Sequence, residues 1–481
     1  MSTFALWRLF HRPGLRGSAG HTSMLAIIAF AAATTIFLTV LGGVHGFIWR
    51  ASADTVACAF DFGACRPDTV AAWKRQISDP TSLAQFSTAY VALAVFACML
   101  LVVPFVALAG SAARLAASRR DARLAALRLA GATTGQVVRL TALDAAGQAL
   151  IGALIGIAGY CALMPAVMLI PFQEQRFTFE QLWVGPLALV ITLAGVAILA
   201  LISSLVTLRR VAITPLGVTS RTATALPSGT RMVLFVVVVV VAMIVFKNPA
   251  MLAQAGQAVM YGVIIGFMLL CFALVNLIGT WVITARAKAK AKRPKDAATM
   301  IAMRRILDNP KRAWRNVSGI ALAVFIAGIT SICGFFGSAA VVDDANDPFT
   351  VFIRDIGTGG ILTLVFAAVL AAVSSGVMQA GSVYDQAGEY RMLVLEGTDV
   401  KTLNRARFIE VLTPLNIVVI VAGGCSMLLM APLFAASMTE PATLASFFGG
   451  LVLCYALVSI GAFASNHVAA SLNLTDYRAD D

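Results

Sequence analysis

Long apolar runs separated by short polar segments dominate the chain. They fall near 24–49, 85–111, 141–170, 183–207, 232–246, 257–284, 317–340, 358–383, 411–433 and 443–465. Most reach the ~20 residues that a helix needs to cross a bilayer core. The runs are continuous rather than alternating, and hydrocarbon offers no water to satisfy backbone groups, so helices are predicted. The pattern reads as an all-α polytopic membrane protein with about ten transmembrane helices. Run 232–246 is short for a span, with Arg231 and Lys247 placed to snorkel from its ends.

Composition points the same way. The 481 residues are 59% hydrophobic and 12% charged, with a mean hydropathy of +0.88. A soluble domain carries roughly 25% charged residues, so this chain lacks the charge to cover a water-facing surface of its size. A net charge of +13 invites a nucleic-acid reading, but the basic residues lie between apolar runs and build no basic face, which excludes it. Their placement orients the chain instead. With the N-terminus cytoplasmic, all of the 36 lysines and arginines except Arg50, Arg66, Lys74, Arg75, Arg176, Lys247 and Arg354 fall in cytoplasmic segments. Both termini are then expected in the cytoplasm. Arg8, Arg12 and Arg16 precede a run ending near Ala51-Ser52-Ala53, a signal-peptidase-like triplet. That run, at about 26 residues, exceeds the ~7–15 of a signal core, so it is expected to stay as the first span.

An internal repeat organises these runs. Arg128-Leu129-Ala130-Gly131-Ala132-Thr133 follows the second run, and Val394-Leu395-Glu396-Gly397-Thr398-Asp399 follows the eighth. Aligning Gly131 with Gly397 also pairs Leu127 with Leu393, Arg139 with Arg405, and Asp144 with Glu410. Upstream, Arg8-Leu9-Phe10 with Pro13 matches Arg305-Ile306-Leu307 with Pro310. The predicted plan is two parallel four-helix repeats, residues 1–210 and 301–481, joined by a linker at 211–300 with two transmembrane helices.

The stretch Arg123 to Leu140, followed by Asp144 and the glycines Gly152, Gly156 and Gly159, resembles the signature of FtsX-like permeases, the MacB-type or type VII ABC transporters. In that family a basic helix, a Leu-Gly-Ala-Thr-like turn and an acidic residue open the third span. The second copy is degenerate: Glu389, Arg391, Glu396, Gly397, Lys401, Arg405 and Glu410. The plan is similar to the ten-span bacitracin-exporter permeases, without their large extracytoplasmic domain, the biggest external loop being 50–84.

The resemblance gives segments 113–139 and 385–409 a role. By pattern, 113–139 is a basic amphipathic stretch suited to anionic headgroups. By resemblance it is a coupling helix that docks on a separate ATPase, which places Arg119, Arg123, Arg128, Leu129, Gly131, Thr133 and Gln136 at the first docking site. Glu389, Arg391, Glu396, Gly397, Thr398 and Lys401 fall at the second. Two sites imply two copies of an ABC ATPase subunit, which holds the ATP and magnesium. This chain has no GxxxxGK[ST] loop and needs no cofactor of its own. The resemblance further implies a multi-pass protein of a bacterial cell membrane that moves an amphiphilic, lipid-like, peptide or drug cargo by mechanotransmission. Two alternatives stand beside it: ATPase-driven signalling to an extracytoplasmic hydrolase or a sensor kinase, and ion-coupled transport, which the scarcity of mid-span charge disfavours.

Gly152, Gly156 and Gly159 share one face of the third span, where small residues permit close helix approach. Asp144 and Glu410 read as favourable charges at helix N-termini rather than proton relays. Segments 4–16 and 303–315, broken by Pro13 and Pro310, are interfacial elbows or plain basic flanks. Cys58 and Cys65 lie in an external loop where a disulfide is permitted, and the other six cysteines read as small hydrophobes within spans. His11, His21, His45 and His467 give no zinc spacing, and no metal site is expected.

Overall fold

A computed structural model of the chain describes residues 19–51, 86–118, 134–212, 228–247, 257–339, 348–385, 392–393, 395–434 and 441–470. Arg119, Arg123, Arg128, Leu129, Gly131, Thr133, Glu389, Arg391, Cys58 and Cys65 lie outside the described residues.

The described structure is helical apart from one two-stranded hairpin. Five stretches are long and apolar enough to cross a membrane: Ser23–Ala51, Ala142–Met168, Phe179–Leu205, Pro348–Gln379 and Lys401–Leu428. Shorter apolar helices occupy Ser87–Val102, Val317–Ser331 and Pro441–Ala456. The protein is a multi-pass membrane protein. The chain divides into two compact units, Met1–Thr222 with Ala345–Asp355, and Ala223–Asp344 with Ile356–Asp481.

In the first unit, α1 (Ala19–Ala51) packs along both α2 (Ser87–Ser118) and α3 (Thr134–Met168). A hairpin of β1 (Pro171–Phe172) and β2 (Gln175–Arg176) follows, then α4 (Phe179–Leu182) and α5 (Gly185–Ala212), which packs on α2 and α3. The α1–α3 seam is built on glycine. A Cβ at Gly152 would stand 2.5 Å from the Phe30 Cβ, one at Gly156 2.6 Å from the Thr34 Cβ, and one at Gly159 2.4 Å from the Thr35 hydroxyl. Close approach also lets the Thr35 hydroxyl donate to the Gly156 carbonyl at 3.1 Å, a polar contact that hydrocarbon cannot replace. On the other side of α3, Leu143, Ile151, Leu154 and Ile155 are exposed, as a lipid-facing surface requires. A helix apolar on every face belongs in a bilayer or a deep core.

In the second unit, α6 (Ser228–Lys247) packs on α7 (Gln257–Lys292) and on α11 (Val400–Phe434). The short α8 (Ala297–Asp308) packs on α7 and α11, while α9 (Pro310–Ala339) packs on α11 and α12 (Pro441–Ala470). Residues 320–331 of α9 are buried throughout, making it the unit's central helix. Helix α10 (Pro348–Asp385) opens in the first unit and continues in the second.

One sequence expectation changes. Helices α3 and α11 begin at Thr134 and Val400, so Asp144 and Glu410 lie nearly three turns inside them, not at N-termini. The hydropathy run starts late because each helix carries a polar lead-in, which breaks the apolar pattern without breaking the helix. Segment 303–315 holds two helices with the break at Asn309-Pro310: Pro310 takes the first position of α9, and the Asn309 side chain accepts from the Arg312 amide at 3.1 Å.

Candidate functional site

The turn before α11 lies in segment 385–409, which the sequence resemblance expects to be the second coupling segment. Its backbone stops one helical turn sharply: the Glu396 amide donates to the Met392 carbonyl and the Thr398 amide to the Leu393 carbonyl, both at 2.9 Å. The second bond spans five residues, the Schellman closure, which needs a left-handed residue just before its donor. Gly397 supplies it, with φ +89°. The Asp399 carbonyl then accepts from the Leu403 amide at 3.1 Å, starting α11. Met392 and Leu395 are 69% and 65% exposed, with Glu396 and Lys401 also exposed and Thr398 half-buried. Two large apolar side chains thus stand exposed on a charged turn. Gln136, the described one among the residues expected at the first docking site, lies half-buried in the first turn of α3.

Behind this turn, charge ties the polar lead-in of α11 to α8. Arg405 meets Asp296 at 3.1 Å, and Arg305 meets Glu410 at 4.0 Å. Asp296 also caps α8, its carboxylate accepting from the Thr299 amide at 2.9 Å. Hydrogen bonding from Thr299, with Arg405 adding to it, holds the Asp296 carboxyl below the usual aspartate range.

The first unit carries a second polar constellation, at the Arg50 end of α1. Arg50 is 1% exposed, and it donates to the Phe172 carbonyl at 2.7 Å, Gln173 Oε1 at 3.1 Å, Gln181 Oε1 at 3.3 Å and the Gln175 carbonyl at 3.3 Å. Its guanidinium lies 4.0 Å over the Phe177 ring. Asp355 accepts from the Tyr90 hydroxyl at 2.7 Å and the Gln173 amide at 2.6 Å. Gln173 and Glu174, the two turn residues of the hairpin, have φ of +56° and +61°. Both central residues at positive φ follow the type I′ pattern that suits a two-residue hairpin, although glycine or asparagine normally fills it. Thr178 and Gln181 close a capping box on α4, and the Gln181 carbonyl contacts His45 Nδ1 at 2.9 Å.

By sequence pattern Arg50 serves topology alone, and nothing local singles out Asp355, Tyr90 or Gln173. An arginine at the end of an apolar run was the available signal. Its partners lie 122 to 131 residues away, beyond any local pattern. Among the described residues no group of three or more His, Cys, Asp or Glu side chains is placed to hold a metal.

Against known proteins, residues 93–216 match the family described as FtsX-like permease C-terminal. The matched stretch covers most of α2, all of α3, the hairpin, α4 and α5. No curated protein matches the chain. FtsX-like permeases are normally non-catalytic transmembrane subunits, and they generally pair with ABC ATPase subunits. A multi-pass helical membrane protein with this match over a glycine-seamed helical unit carries, in residues 93–216, an FtsX-like permease C-terminal domain.

Proposed function

We propose that the chain is the transmembrane permease subunit of an ABC transporter, driven by a separate ATPase and exporting or extracting an amphiphilic cargo by mechanotransmission. The observation that carries this reading is the family match over 93–216, which contains the first coupling segment. The Gly397 turn, with Met392 and Leu395 exposed beside it, supports the second. Ten spans in two parallel repeats, 1–210 and 301–481 about a two-span linker, place both coupling segments and both termini on the cytoplasmic side of a bacterial membrane. Each segment receives one ATPase copy, and ATP and magnesium stay in that partner. Apolar anchors on a charged rim are the usual chemistry of a docking tip. Closure of the ATPases pushes on the two turns, and the ion pairs of Arg405 and Glu410 carry part of that motion into α8.

Affinity purification of the full chain from its native membrane tests the reading. A P-loop ATPase is expected to co-purify at two copies per chain, and Leu395→Glu is expected to halve that ratio. Absence of any such ATPase, or a ratio indifferent to Leu395→Glu and to the equivalent Leu129→Glu, would overturn it.

A further inference from the structure

The polar end of α7 leads into α8 and the start of α9, all three within the second unit. Residues 257–285 of α7 carry no charge, a length of about 43 Å against a hydrocarbon core of ~30 Å. Trp314 fixes α9 against this helix. Its Nε1 donates to Asn276 Oδ1 at 3.0 Å, and its ring covers Gly279 so closely that no Cβ would fit. Half-buried Trp281 stands two residues further along α7. Indole rings favour the level where hydrocarbon gives way to headgroups. Arg286 lies two turns past Gly279 and Lys311 one turn before Trp314, so both come within about 10 Å of that level along their helices.

Cations crowd this membrane edge. Between residues 286 and 312 ten lysines and arginines accompany two carboxylates, Asp296 and Asp308. Asp296 is engaged by Arg405 and by the cap of α8, with Lys295 adding to its field, and Arg305 is engaged by Glu410. Arg286, Lys288, Lys292 and Arg293 are exposed and Lys290 is half-buried, and none of them makes an ion pair among the described residues. The same holds for exposed Arg304 and Lys311. Orienting a span needs only an excess of basic residues in its flanking loop. Cations left without carboxylates on adjoining elements repel one another, and a bound anion would relieve that repulsion. Helix α8 adds a second cue. Its inner face buries Ala302, Met303 and Ile306, while Met300, 46% exposed, stands one turn from Arg304. An apolar side chain beside a cation suits the boundary between acyl chain and headgroup.

We propose that this band binds the phosphate groups of anionic phospholipids, with Arg286, Lys288, Lys292 and Lys311 as the headgroup contacts. Lipid held there ties the α7–α8–α9 elbow to the bilayer surface. The recognised chemistry is a phosphodiester with net negative charge in the membrane plane. Phosphatidylcholine carries the same phosphate with a compensating cation and is the matched control. The inference goes beyond the permease reading: it needs α7 to cross the bilayer and needs no ATPase.

The full chain, reconstituted in vesicles of equal phosphatidylglycerol and phosphatidylcholine, is extracted into mild detergent and purified. Its retained lipid is then quantified by mass spectrometry. Phosphatidylglycerol is expected to exceed phosphatidylcholine by about fivefold or more, the effect of a single cation near an anionic lipid surface. Washing at about 1 M salt, where the screening length falls to ~3 Å, is expected to remove the excess. The triple variant Arg286→Gln/Lys288→Gln/Lys292→Gln should bring the ratio near one, and the charge-preserving Arg286→Lys/Lys288→Arg/Lys292→Arg should keep it. Should the neutral triple variant misfold, Lys311→Gln on α9 alone is expected to lower the ratio by about twofold. An unaltered chain with no phosphatidylglycerol excess, as when an acidic protein surface takes the band instead, would overturn the proposal. So would an excess untouched by the neutralising substitutions. Because no ATPase takes part, failure of an ATPase to co-purify bears on the permease reading alone.

Discussion

Arg50 makes four hydrogen bonds, each to the 172–181 stretch, from a position almost sealed from solvent. Its removal would strip the buried Phe172 carbonyl and Gln173 Oε1 of a donor, at roughly 1–3 kcal/mol for each buried group left unsatisfied. Arg50→Ala is therefore expected to destabilise the detergent-purified chain by about 3 kcal/mol or more, read as a lower thermal midpoint. Arg50→Lys should recover only part of this, because an ammonium lacks the planar fork that reaches several acceptors at once. Glu174 behaves in the opposite sense. It holds a left-handed conformation at φ +61° that costs a non-glycine residue about 1–2 kcal/mol. Glu174→Gly should raise the thermal midpoint, and a fall would show that the Glu174 side chain contributes more than its backbone strain. Neither residue advertised itself in the sequence: a Gln-Glu pair is not turn chemistry, and the partners of Arg50 are brought to it only by the packing of α1 against the α3–α5 connection.

The helices themselves were legible, because an uninterrupted apolar run has few structures open to it in hydrocarbon. Their ends were less so. Asp144 and Glu410 mark where the apolar runs begin, whereas the helices begin ten residues earlier at Thr134 and Val400, since residues such as Gln136 and Lys401 are good helix formers that hydropathy cannot see. The Asn309-Pro310 break was visible through its proline, but the extent of α8 was not, because its cap at Asp296 stood inside a basic run. The glycine spacing of α3 translates into a direct test of the α1–α3 seam. Gly156→Leu would drive side-chain atoms into Thr34 and the Ala31 carbonyl, and overpacking of this kind costs about 1–3 kcal/mol. Gly147→Ala, on the same helix with open space around its Cβ, should be neutral or gain up to about 1 kcal/mol. Equal thermal midpoints for the two variants would deny the seam its role. At α8 the expected dependence is on pH. The Asp296 carboxyl is depressed, so its contribution is fully present above the ordinary aspartate pKa and fades as pH falls through the lower, folded value. Exchange protection of the Thr299 amide should weaken on acidification, and Asp296→Asn should flatten that response.

On the scale of the whole molecule, the account depends on force delivered at two turns related by a parallel repeat. Gly397 is the described half of that pair, and its left-handed backbone makes it sensitive to a side chain. Gly397→Val is expected to cut cargo-stimulated ATP hydrolysis by the bound partner while leaving membrane insertion intact, whereas Gly397→Asn, a residue tolerated in that conformation, should retain most of it. Retained stimulation in the valine variant would separate the turn from coupling. Five long apolar spans and the Gly397 turn could be read from pattern because they are local. The Arg50 and Asp355 constellation could not, because it joins residues far apart in the chain. The most direct test of the central claim is sidedness. Ala125→Cys and Leu395→Cys, each introduced singly into a chain with its native cysteines replaced, are exposed to a membrane-impermeant maleimide in right-side-out and inverted vesicles. Both are expected to label only in inverted vesicles, on the cytoplasmic face; labelling of the two positions from opposite faces would contradict the proposed function.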